Sequence, residues 1–145
     1  MPKLTAAVVA AWLLAAAADL SIMAVQAPDS PVRLDHLKIF STDDAPPVLL
    51  YAATNVTNDE LDQFTVMVFV FDREGRLKAR QVAPGRRTLE ARATKYSAMV
   101  LDVGMIEPTD SLMAGVDQVQ RVGSDQWWRV DLRALAEQAF TARKR

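Results

Sequence analysis

His36 is the one histidine among the 145 residues. Any proton transfer near neutral pH would centre on it, because only histidine has an ordinary side-chain pKa in that range. In a serine hydrolase it would be the base, set between a nucleophilic Ser and an orienting carboxylate. No G-x-S-x-G elbow accompanies it. A zinc centre would have to combine this single His with carboxylates, since the chain has no Cys. Asp43-Asp44 offers the hard oxygens that calcium takes, but it lacks D-x-D-x-D-G spacing and reads as a solvated turn. Asn55-Val56-Thr57 has the form of a glycosylation acceptor and reads as the polar end of a strand. The expectation is therefore that no residue is catalytic, binds a cofactor or ligates a metal. Trp127-Trp128 is the remaining pair of interest. Neighbours in a strand point to opposite faces, so one Trp should enter the core. The other should lie beneath Leu135 and Phe140, or face outward as an aromatic anchor for a partner protein.

The elements that carry these residues begin with an apolar segment. Lys3 precedes residues 4–18, which carry no charge and are dominated by Ala, Val, Leu and Trp12. Small residues follow, the layout of a secretory signal peptide. Cleavage sites are expected after Ala18 or after Ala27, the second leaving Pro28 at the new terminus. Read as a membrane anchor, the segment is short. A span needs about 20 apolar residues, and reaching that length places Asp19 in hydrocarbon at a cost of roughly 2.5–3.5 kcal/mol near the centre. The organisation expected is a signal peptide (or uncleaved anchor) over residues 1–27 and one domain over residues 28–145. Without Cys there is neither a disulfide framework nor a lipidated N-terminus. The 17 basic and 18 acidic residues are balanced, which argues against nucleic acid or anionic lipid as the main partner.

The domain reads as a series of strands. Residues 28–31 form a flexible lead-in. Alternation over 32–34 and 37–39 is out of phase, predicting a β-bulge at Asp35-His36. Residues 41–47 (STDDAPP) read as a loop, and residues 48–54 as a second strand. Residues 64–71 (FTVMVFVF) are apolar on both faces, as expected of a central strand covered on both sides. Asp72 to Gly75 then makes a hairpin turn into a returning strand over 77–82, ended by Pro84-Gly85. Residues 88–103 offer two shorter strands. Residues 112–122 offer another, whose mixed faces point to a bulge or an edge, and 127–130 a last short one. Strands about ten residues apart, broken by turn chemistry, mark a β-sandwich. Asp131 caps a helix over 131–143, with Leu132, Leu135, Ala136, Ala139 and Phe140 on one side.

Phe69-Val70-Phe71-Asp72-Arg73-Glu74-Gly75 resembles the FxLYD-type domains, immunoglobulin-like modules of exported bacterial proteins. That pattern is an apolar strand ending in an aromatic-Asp pair, then a turn and a Gly. An Asn at an upstream strand end is matched by Asn55, and a downstream Pro-Gly turn by Pro84-Gly85. The likeness extends over about residues 48–128. The chain lacks the family's Leu-Tyr before the Asp and the glycine ahead of the Asn. The resemblance implies an all-β, immunoglobulin-like antiparallel sandwich of about seven or eight strands, with no catalytic residue. With the export signal, it sets the functional expectation: a non-catalytic periplasmic or secreted module that binds or supports another, unknown envelope protein. An exposed sheet edge or the Trp127/Trp128 region would be its contact surface. If the N-terminal segment is retained, the protein would instead be a single-pass accessory subunit in the inner membrane.

Overall fold

A computed structural model describes residues 20–143 of the chain. Eight strands form two sheets. One holds β2 (Val32–Thr42), β3 (Ala45–Asn55) and β6 (Thr94–Val100) in that order. The other runs from β5 (Leu77–Pro84) through β4 (Leu61–Phe71) to β7 (Ser111–Arg121). The far side of β7 is shared. β1 (Ile22–Ala24) pairs with it in parallel at residues 112–114, and β8 (Trp127–Arg129) pairs antiparallel at residues 118–120. In immunoglobulin lettering, β2-β3-β6 correspond to A-B-E and β5-β4-β7-β8 to C′-C-F-G. The expected immunoglobulin-like sandwich is the fold.

β4 lies at the centre, as its two apolar faces require. Phe64, Val66, Val68 and Val70 enter the core between the sheets, against Leu34, Ile39, Leu49 and Met99. Met67, Phe69 and Phe71 point the other way and are covered by helix α1 (Leu132–Arg143) through Leu132, Ala136 and Phe140. Residues on three successive turns of α1 thus bury one stripe, each large apolar side chain contributing about 1.5–3 kcal/mol. The Asp131 carboxylate accepts from the Ala134 amide at 3.1 Å, the expected N-cap. At its other end, Phe140 lies 5.7 Å from Phe71, ring centre to ring centre. Gly75, at φ 87°, sits so close that a Cβ there would come within 2.7 Å of the Phe140 ring.

Both expected bulges are present. The β2–β3 register slips between Asp35 and Lys38, where His36 adopts φ 54°. The β4–β7 register slips between Thr65 and Val66, opposite Gln118 and Val116. Asp117 is the extra residue, and its carboxylate accepts a hydrogen bond from Thr65 Oγ1. This slip keeps Leu112, Ala114, Val116 and Val119 all in the inter-sheet core, which explains the mixed faces of the sequence pattern.

Four local readings are corrected. The 41–47 loop contracts to a two-residue turn at Asp43-Asp44, since Thr42 pairs with Ala45. Pro46 and Pro47 open β3, where strand starts tolerate proline. Residues 88–103 form one strand rather than two, because Thr88 (φ 59°) and Arg92 (φ 62°) turn the backbone out of extended geometry. Leu89 keeps only an isolated bridge to Leu61. Residues 28–31 are not a loose lead-in: Ser30 and Pro31 are buried, and Ser30 Oγ donates to Val32 O at 2.8 Å. Finally, residues 20–27, read as the end of the apolar segment, include β1. Val25 and Ala27 are buried, and the Val25 amide donates to Ala114 O at 2.8 Å. The rest of that segment, residues 1–19, lies outside the described residues. No helix among the described residues is long and apolar enough to cross a membrane.

Candidate functional site

The outer face of the three-stranded sheet is built from cross-strand rows. Phe40, Val48 and Val100 lie side by side; Lys38, Leu50 and Ala98 form the next row; then Asp35, Ala52 and Tyr96; then Arg33, Thr54 and Thr94. Among the described residues no element covers this face. Phe40 and Val100 are each 58% exposed, Tyr96 68% and Leu50 40%. On the outer face of the other sheet α1 covers Met67, Phe69, Phe71 and Met113, although Val82 beside Met67 stays exposed. Exposed apolar residues on neighbouring rows of one sheet make this face a candidate contact surface.

The β6 strand borders this face and, among the described residues, pairs on one side only, with β3. Leu101 N donates to Pro47 O at 2.8 Å, so odd-numbered residues turn their backbone groups toward β3. The even-numbered residues Thr94, Tyr96 and Ala98 direct theirs to the open edge. At Val100 the edge is closed by a side chain. Gln81 Nε2 donates to Val100 O at 2.8 Å, and Gln81 Oε1 accepts from Asp102 N at 2.7 Å. One amide thus imitates a strand partner and ties β5 to the end of β6. The β5 edge itself carries exposed Lys78, Arg80 and Pro84, residues that discourage strand addition. The only charged residue of β6, Lys95, is turned to Thr88 O at 2.6 Å. Thr94, Tyr96 and Ala98 leave the β6 edge without such protection.

A groove of about 470 Å³ wraps this edge, lined by His36, Leu50, Tyr51, Arg86, Tyr96 and Ser97. The His36 and Tyr96 rings lie 6.5 Å apart. Burial raises the Tyr51 phenol above its ordinary pKa, outweighing the opposing effects of the Ser97 hydrogen bond and the Arg86 charge. Asp35, beside His36 in sequence, is paired with Arg33 at 2.8 Å. The groove therefore brings together apolar surface, hydroxyls and a cation. It does not assemble nucleophile, base and orienting acid. Among the described residues no group of three or more His, Cys, Asp or Glu is placed to hold a metal ion.

The two tryptophans, expected to take opposite faces, are both half-buried. Trp128 pairs with Val119, packs against the inter-sheet core, and donates from Nε1 to Asp29 Oδ2 at 3.1 Å. Trp127 pairs with Gln120. The cluster containing Leu135 and Phe140 includes Met23, Leu77 and Val130 but neither tryptophan, so those two side chains cover β4 instead. Asn55, read as a polar strand end, is fully buried. Its Nδ2 donates to Asp59 O at 2.7 Å and to Leu89 O and Glu90 O at 3.1 Å, while its Oδ1 accepts from Thr57 N and Oγ1 at 2.9 and 2.7 Å. It is a structural clip with no atom free for a sugar.

The β6 surface was not singled out in the sequence. Its signal was the apolar residues at positions 40, 48, 50, 96 and 100, which fall on the face opposite the core residues of the same strands.

No protein-family model matches the chain, and no curated protein sequence matches it. Among solved structures, a hypothetical protein from Peptoclostridium difficile 630, known from a 1.85 Å X-ray structure, is similar with a TM-score of 0.54. The identity is 9%, over 79% of this chain and 93% of that one. At that identity the likeness concerns the fold alone.

Proposed function

We propose that this chain is a non-catalytic, exported, immunoglobulin-like module of the FxLYD type that holds another envelope protein. One observation carries the reading: the open backbone edge of β6 at Thr94, Tyr96 and Ala98 lies beside an exposed apolar sheet face. Strand addition to such an edge supplies backbone hydrogen bonds, and the adjoining side chains supply selectivity. The export component rests on the N-terminal apolar segment. A photo-crosslinking amino acid placed at Tyr96 in intact cells tests the interaction. A discrete protein adduct is expected from position 96 and none from Met105, an equally exposed apolar residue on the 104–110 loop. Recovery of uncrosslinked monomer alone from position 96 would sink the proposal.

A further inference from the structure

We infer that the segment held on β6 is an extended stretch of the partner in which carboxylate side chains alternate with apolar ones. This rests on the reading of β6 as an interaction edge and adds the chemistry of the occupant. A strand laid along that edge meets the outward backbone groups of Thr94, Tyr96 and Ala98, and it stops where Gln81 closes Val100. Successive side chains of an added strand fall on alternate faces. Those on the outer face continue the rows of Tyr96 and Ala98 and extend an apolar surface.

Those on the other face meet Ser97, Lys95 and Arg86. Arg86 lines the groove there, is exposed, and among the described residues forms no ion pair with a carboxylate. Its neighbour Arg87, by contrast, is matched to Asp62 at 3.1 Å. No acidic residue lines the groove. An acidic side chain of the partner completes this arrangement; a basic one opposes it. A second copy of the chain fits less well. Pairing β6 with β6 about a twofold axis would set Arg86 and Lys95 of both copies on the same side of the joined sheet, like charge near like charge.

The test uses the full chain and two labelled synthetic peptides of eight residues, one alternating Glu with Val and Thr, the other with Lys in place of every Glu. Fluorescence anisotropy is expected to show binding of the Glu peptide at least tenfold tighter than the Lys peptide, weakening as salt rises. Arg86→Gln, an exposed change that leaves the core untouched, should weaken the Glu peptide at least fivefold. Ala98→Pro should abolish binding while thermal melting shows a folded domain, because proline is tolerated where its missing N–H faces an edge. Equal binding of the two peptides overturns the inference but leaves the edge reading standing if Ala98→Pro still abolishes both. Failure of both peptides, with the Tyr96 adduct still forming, also overturns the inference alone. A dimer in sedimentation that Ala98→Pro dissociates assigns the edge to a second copy and overturns it as well. Loss of both the adduct and peptide binding removes the underlying reading.

Discussion

Replacing Asn55 with Ala would strip the Thr57 amide of its acceptor. It would also take one of two donors from the Asp59, Leu89 and Glu90 carbonyls, which keep Thr57 Oγ1, Leu61 N and Ala93 N. Buried groups stripped of a partner cost about 1–3 kcal/mol each when water cannot reach them. Because part of this turn can rehydrate, a loss of about 2–4 kcal/mol is expected, measured as a lower urea midpoint with unchanged slope. Asp72 acts through pH. Its carboxylate is held below the ordinary range chiefly by the backbone amide of Arg76, then by that of Glu74 and the Arg76 charge. A depressed folded-state pKa means stabilisation that is present above the unfolded value of about 3.9 and lost as pH falls through the folded one. Thermal melts between pH 2 and 6 should therefore show a shallower acid decline for Asp72→Asn than for the parent, and identical declines would refute this role. The motif Asp was legible in the sequence because turn chemistry is local. The clip at Asn55 was not, since two of its partners, Leu89 and Glu90, lie in a segment brought beside it only by folding.

Gly115 governs an element rather than a turn. A Cβ there would come within 2.3 Å of the Val25 carbonyl and about 3.0 Å of Leu132. Gly115→Ala should push β1 off β7, at an expected cost of about 1–3 kcal/mol for overpacking. Hydrogen exchange supplies the direct readout: the Val25 amide, bonded to Ala114 O, should lose protection while the β4 amides keep theirs. Unchanged protection at Val25 would contradict the argument. The same scale explains what the sequence disclosed. β4 could be read because two apolar faces demand two covers, and α1 because its stripe has helical spacing. β7 was blurred because the Asp117 bulge shifts its phase halfway along. β1 was missed because three residues with a distant parallel partner leave no local pattern, and they overlap an apolar run with another meaning. The β6 surface was hidden for a related reason. Phe40, Val48 and Val100 form a patch only through cross-strand register, which no single strand's alternation reveals.

At the scale of the whole molecule, the two candidate cleavage points are no longer equivalent. Removing residues 1–27 would delete β1 together with buried Val25 and Ala27, and would strip Ala114 O of its donor. Removing residues 1–18 would leave every described element intact. The expected intact mass, measured on protein recovered from fractionated cells, is therefore that of a chain starting at Asp19. A mass starting at Pro28, or that of the whole chain, would refute this. β1 has one more consequence, which concerns time rather than geometry. Its partner is β7, some ninety residues further along the chain. A polypeptide that emerges amino-terminus first holds this strand unmatched until nearly all of the domain has arrived, because non-local pairing must wait for both halves. The β1–β7 pairing thus cannot close early. β1 is therefore among the last elements to find its place, whatever the intervening strands have formed by then.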